Sequence, residues 1–141
     1  MKKIIVIEDE DLIREGITLI LSVNGYHVIS AHNGSVGIEL AKEHLPDLVV
    51  SDIMMPEKDG YDVLQALRTH EPTSAIPFLF LSAKVDQSDI RRGMNLGADD
   101  YLTKPFEHDE LISAVQTRLG KHEDVRRNAE IAFAADRARY E

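Results

Sequence analysis

The sequence predicts an α/β protein in which five short parallel strands form one sheet with helices on both faces. Three observations carry this reading. Apolar runs of three or four residues recur at Ile4–Ile7, Leu48–Val50 and Phe78–Leu81. They are too short for helices and apolar throughout, as strands buried on both faces are. After each run, apolar residues recur at helical spacing, and the connections are short and marked by Gly, Pro or Asn, the signature of repeated βα units.

Each element has its own signals. Ile4–Ile7 is the first strand and stops on Glu8-Asp9-Glu10-Asp11. From Asp11 the period becomes helical, with Ile13, Ile17, Ile20 and Leu21 on one face and Asn24-Gly25 as the stop. His27–Ala31 is the second strand, and Asn33-Gly34-Ser35 leads into a helix through Val36, Ile38, Leu40 and Ala41 that Pro46 closes. The third strand runs to Asp52, and Pro56 takes the chain out of the sheet at once. Asp59 is the expected N-cap of a helix through Val63, Leu64 and Leu67. Pro72 and Pro77 bracket the next connection, and the fourth strand ends on Ser82. A helix from about Asp86 to Leu96 stops at Gly97. A short fifth strand over Asp99–Leu102 leads to Thr103-Lys104-Pro105, and the last helix carries Leu111, Ile112, Val115 and Leu119 on one face. Right-handed crossovers leave few topologies for such a chain. A flavodoxin-like (βα)5 three-layer sandwich of strand order 2-1-3-4-5 places the ligand site beside strands one and three.

Composition bounds the function classes. A length of 141 residues, 43% hydrophobic and 29% charged, suits one domain with an appendage. The chain has no cysteine, which excludes disulfides and thiolate metal sites. No apolar run approaches the roughly 20 residues of a membrane span, and the N-terminus lacks a signal-peptide pattern. A cytoplasmic protein is the expectation, with no membrane contact. A net charge of −9 opposes direct nucleic-acid binding by this chain. The five acidic and five basic residues from 120 onward cancel, so the acidity lies in residues 1–119.

Strands one and three both stop on carboxylates, at the edge where open α/β sheets keep their sites. Glu8, Asp9 and Asp52 would converge there, and three carboxylates cannot all stay ionised cheaply without a cation. A hard divalent ion with oxygen ligands resolves this, and Mg²⁺ fits a small site that keeps several waters. Strand four adds the Ser82 hydroxyl and strand five the Lys104 ammonium. A cation, a hydroxyl and a lysine around a carboxylate are the parts that steady a transferring phosphoryl group. Asp52 is the nucleophile in this reading, because carboxylates form acyl phosphates.

The order and spacing of Glu8-Asp9, Asp52, Ser82 and Lys104-Pro105-Phe106 resemble the receiver domain of two-component response regulators. Ser51-Asp52-Ile53-Met54-Met55-Pro56 and Leu102-Thr103-Lys104-Pro105-Phe106 look like its most recognisable segments, and Gly97-Ala98-Asp99-Asp100-Tyr101 resembles the stretch before its last strand. The likeness covers roughly residues 2 to 119. It implies that Asp52 accepts a phosphoryl group from the phosphohistidine of a sensor histidine kinase or phosphotransfer protein. It implies Mg²⁺ held directly by Asp9, by Glu8 through water, by Asp52 and by the backbone carbonyl of Met54. Lys104 would pair with the phosphoryl oxygens, and Pro105 would follow a cis peptide. Ser82 would turn to the phosphoryl group with Tyr101 swinging inward behind it, repacking the face of the fourth helix, fifth strand and fifth helix. Such a domain assists its own phosphorylation and dephosphorylation and is not a turnover enzyme on an external metabolite. Two positions depart from the commoner pattern: Glu8 for Asp, and Ser82 for Thr. Both keep the functional group.

Rival readings exist. Glu8–Asp11 alone reads as a solvated helix start, but Asp52 and Lys104 outweigh it. It is not a calcium loop, since Ile13 occupies a ligand position. Tyr101 alone reads as core, and the six histidines show no ligand spacing. Met54 and Met55 read as loop packing, apart from the Met54 carbonyl. A haloacid-dehalogenase-like phosphatase needs a second Asp two residues after its nucleophile, where Met54 stands. A flavin module lacks its phosphate loop, and a phosphorylation-independent receiver-like scaffold would be expected to lose the acceptor or the lysine. Residues 120–141 are alanine-rich with balanced charge. They read as a helical extension or linker toward an output module or effector, or as a pairing helix to a twin subunit, alongside pairing through the fourth helix, fifth strand and fifth helix. A frayed surface helix is the alternative.

Overall fold

A computed structural model describes residues 1–83 and 87–120, with 87–90 described by backbone only. The expected helical extension lies outside the described residues from 121 on, as does the expected helix start at Asp86. The elements are β1 (Lys3–Ile7), α1 (Asp11–Val23), β2 (His27–Ala31), α2 (Gly34–His44), β3 (Leu48–Asp52), α3 (Gly60–Thr69), β4 (Phe78–Ser82), α4 (Gln87–Asn95) and β5 (Asp100–Thr103). A last helix, α5, covers 108–120 within the described residues. The strands form one sheet of order β2-β1-β3-β4-β5, every pair parallel. The flavodoxin-like order expected from the sequence is the one found.

Burial explains which runs became which strands. All five residues of β3 and of β4 are buried, whereas the edge strands β2 and β5 are half exposed. Side chains alternate between two cores. Ile5, Ile7, Val49, Phe78 and Phe80 face Ile38 and Ala41 of α2 and Val63, Leu64 and Leu67 of α3. Ile4, Val6, Val50, Leu79 and Leu81 face Ile17 and Leu21 of α1 and Leu111, Val115 and Leu119 of α5. Burying a residue such as Leu64 or Leu111 contributes about 1.5–3 kcal/mol.

Caps fix where the helices begin. The Asn33 side chain accepts from Val36 N–H at 2.8 Å. Asp59 and Asp62 form a reciprocal capping box at 2.9 and 3.0 Å, so α3 starts where the sequence placed it. α2 stops before Pro46 with Leu45 in the left-handed region at φ 46°. Asn24 and Gly25, the latter at φ 92°, end α1.

Candidate functional site

The site grows from three strand ends. Glu8 follows β1 directly; its N–H still donates to Ala31 O at 3.1 Å, and its side chain is fully buried. Asp9, next along, is half-buried. Arg14 of α1 donates to the Glu8 carbonyl at 2.9 Å and to Asp11 Oδ1 at 2.6 Å, which fixes the peptide joining Glu8 to Asp9. Asp52 is the last residue of β3 and is buried, its Oδ1 accepting from Ile53 N–H at 2.9 Å. α3 begins tight against it. Gly60 N–H donates to Ile53 O at 2.8 Å, and a Cβ at 60 would strike the Asp52 carbonyl oxygen and come within 2.9 Å of Ile53 Cα.

Lys104 closes the pocket. Its backbone N–H donates to Ser82 O at 2.8 Å, which carries the β4–β5 pairing one residue beyond Thr103. Its Nζ lies 2.8 Å from Glu8 Oε1 and 3.4 Å from Asp52 Oδ2. Burial works against the Lys104 charge, but the hydrogen bond to Glu8 and the charges of Asp52 and Glu8 outweigh it and raise the pKa. Glu8 is pushed up to about 7, first by burial and then by the adjoining Asp52 carboxyl, with Lys104 pulling the other way. One lysine does not neutralise this pocket.

Glu8 Oε2 shows what is lacking. It is buried and has no hydrogen-bond partner; with both carboxylates ionised, a proton or a cation is what it needs. Glu8, Asp9 and Asp52 each offer an oxygen within 4.8 Å of the others. A hard cation fits this all-oxygen donor set, so the acidic cluster could hold a metal ion.

The remaining predicted residues lie around this pocket. Ser82 is buried at the end of β4. Tyr101 of β5 pairs with Phe80 in register, their rings 5.3 Å apart. Phe80 also meets Tyr61 of α3 edge-on at 5.3 Å. Ser82 stands two residues beyond Phe80, on the same face of β4. The Lys104–Pro105 peptide is cis. Met54 requires a correction: its side chain does not pack in the loop but is 76% exposed, while Met55 is buried in the core. The chain leaves the sheet in extended fashion, so Ile53 and Met55 turn inward and Met54 turns out.

Three contributors were not singled out in the sequence: Arg14, Gly60 and Arg68. Arg68 of α3 donates to Gly97 O at 2.7 Å and Ile76 O at 2.7 Å and lies 3.4 Å from Asp99 Oδ2, tying the segments before β4 and β5 together. Nothing in their local sequence marks Arg14 or Arg68. Gly60, directly after an N-cap, carried a signal that helix periodicity hides.

A doubly wound sheet with buried acids and a lysine at its topological switch point defines an α/β domain whose acidic cluster could hold a metal ion. Comparison with known proteins narrows this class. Residues 4–116 match the model of the response regulator receiver domain. The chain is 41% identical over 126 residues to the transcriptional regulatory protein DltR of Streptococcus agalactiae, covering 89% of this chain and 55% of that protein. It is 37% identical to the DNA-binding response regulator MtrA of Mycolicibacterium smegmatis, covering 87% of this chain and 53% of that protein. It thus spans about half the length of the curated relatives it matches. Among solved structures, a putative response regulator from Chloroflexus aurantiacus aligns with a TM-score of 0.80 at 34% identity, covering 84% of this chain and 98% of that one. Vibrio cholerae chemotaxis protein CheY4 aligns at 0.81 with 27% identity, over 84% and 98% of the two chains. The chain belongs to the response regulator receiver domain family and is a signalling switch of two-component systems. Among the described residues, no helix is long and apolar enough to cross a membrane.

Proposed function

We propose that Asp52 is the phosphoacceptor, taking a phosphoryl group from the phosphohistidine of a sensor histidine kinase or phosphotransfer protein. The observation that carries this is Lys104 Nζ bridging Glu8 and Asp52 at 2.8 and 3.4 Å, with Glu8 Oε2 left wanting a cation. Asp52 Oδ2 attacks phosphorus, because Oδ1 is engaged by Ile53 N–H. The P–N bond of the donor breaks, a P–O bond forms, and the imidazole leaves with the bonding pair. Lys104 is positioned to exchange its Asp52 contact for a phosphoryl oxygen. Glu8, Asp9, Asp52 and the Met54 carbonyl would hold Mg²⁺, which neutralises charge on the phosphoryl oxygens. Reversal is hydrolytic: water attacks phosphorus, the P–O bond to Asp52 breaks, and inorganic phosphate leaves.

Ser82 and Tyr101 would report the change. Phe80 and Ser82 share one face of β4, and the Tyr101 ring lies tilted 5.3 Å from Phe80 with its hydroxyl against Gly93, so a turn of Ser82 toward the phosphoryl group would favour this inward placement of Tyr101. Repacking of α4, β5 and α5 would pass the signal on. Residues 1–119 would be the receiver, and 120–141 an extension or linker toward an output module or twin subunit. The names of the relatives favour transcription as the output, carried outside this chain. Incubation with acetyl phosphate and Mg²⁺ followed by intact mass tests this: one added phosphoryl group is expected in the native chain and none in Asp52→Asn. Sustained phosphate release without an adduct would overturn it in favour of a phosphatase.

A further inference from the structure

The C-terminal turn of α4 is held in one orientation. Ala98 N–H donates to Gly93 O at 2.9 Å and Gly97 N–H to Met94 O at 3.1 Å, with Gly97 at φ 101°. This is a Schellman closure, and it locks Gly93 at the position where the closure begins. Next to it, the Arg92 guanidinium lies 4.2 Å over the Tyr61 ring and fastens the same turn to α3. Gly93 consequently meets β5 in a fixed way, and what it meets is Tyr101. A Cβ at 93 would fall on the Tyr101 hydroxyl, 2.8 Å from its Cζ and 3.0 Å from Phe80 Cε2. Glycine weakens a helix, so a glycine inside one calls for a packing reason. Here the reason is the tyrosine ring.

We infer that Gly93 is a positioning residue of the switch: its missing side chain is the slot that an inward Tyr101 occupies, between α4 and Phe80. The inference rests on the proposed coupling of Ser82 to Tyr101. If the inward ring accompanies phosphorylation, filling the slot opposes both together, because coupling between two sites is reciprocal. Gly93→Ala therefore drives Tyr101 outward and weakens the phosphorylated state by the same factor.

The test compares the native chain with Gly93→Ala by tetranitromethane nitration, quantified by peptide mass at Tyr101 with Tyr26 as the internal reference. A several-fold rise at Tyr101 with Tyr26 unchanged is expected; equal nitration at Tyr101 overturns the inference. Nitration does not involve Asp52, so its outcome holds whether or not Asp52 accepts a phosphoryl group. Beryllofluoride affinity with Mg²⁺ gives a second readout. It should fall several-fold in Gly93→Ala, with no further fall when Gly93→Ala is added to Tyr101→Ala. Should Gly93→Ala fail to fold, the double variant Gly93→Ala/Tyr101→Ala decides. It folds if the ring is the obstacle, and its failure would show that the glycine serves the packing of α4 on Phe80 instead.

Discussion

Lys104 Nζ donates to Glu8 Oε1 at 2.8 Å, joining residues 96 apart in the chain across the carboxyl edge of the sheet. The pair is asymmetric: Glu8 is fully buried, its second oxygen has no donor, and its pKa is raised to about 7 despite the lysine. Burial and the neighbouring Asp52 carboxyl together outweigh the ion pair at Glu8, and keeping Glu8 ionised there is costly to the fold.

A pH dependence follows for the protein in EDTA. The ordinary Glu value is 4.5 and the folded one about 7. Between them the folded state keeps a proton that the unfolded chain has shed, so this group's contribution to stability falls as pH rises through that window and is level above it. The loss amounts to at most about 3 kcal/mol. Denaturant titrations of the native chain and Glu8→Gln should agree near pH 5, with the variant more stable near pH 8. Equal stabilities at both pH values would refute the assignment to Glu8.

Divalent cations should reverse the penalty. At Mg²⁺ ten times its dissociation constant, the fold gains about 1.4 kcal/mol. Thermal melts with and without EDTA measure it, and Asp9→Asn should lose most of the gain because it removes one of three clustered carboxylates.

Arg68 should matter more than its partly exposed setting suggests. Burial lowers its pKa, with Asp99 opposing, yet its guanidinium serves two carbonyls from separate loops. Arg68→Ala should cost about 2–3 kcal/mol in denaturant unfolding. Arg68→Lys should recover less than half, since an ammonium cannot reproduce the planar fork.

Gly60→Ala should cost about 1–3 kcal/mol by overpacking and also slow phosphorylation, because the added methyl meets the Asp52 carbonyl and not a flexible side chain. Rates with acetyl phosphate, measured beside urea midpoints, separate the two effects.

The chain's architecture was legible because its strands are short apolar runs ending on charged or hydroxyl residues. Asp59 marked a helix start by its side-chain cap and Gly97 a helix end by its left-handed backbone, and both act as expected. Glu8, Asp9 and Asp52 were readable as a cluster because they stand at the ends of apolar runs, and Lys104 because it follows the short fifth strand. Arg14, Gly60, Arg68 and Gly93 were not, because their roles depend on what another element brings against them. Arg68 meets loops 8 and 29 residues away, and Gly93 meets a ring on the next strand. Met54 faces solvent, against the loop-packing expectation, because the strand's alternation continues past Asp52 into the loop.

Whether Asp52 receives the phosphoryl group is decided by borohydride trapping. The chain is treated with acetyl phosphate and Mg²⁺, reduced, digested and mapped by mass. An acyl phosphate is reduced to an alcohol, so homoserine is expected at position 52, dependent on Mg²⁺ and absent from Lys104→Ala or strongly diminished there. Homoserine at Asp9 or elsewhere, with Asp52 unmodified, would show that another carboxylate is the acceptor.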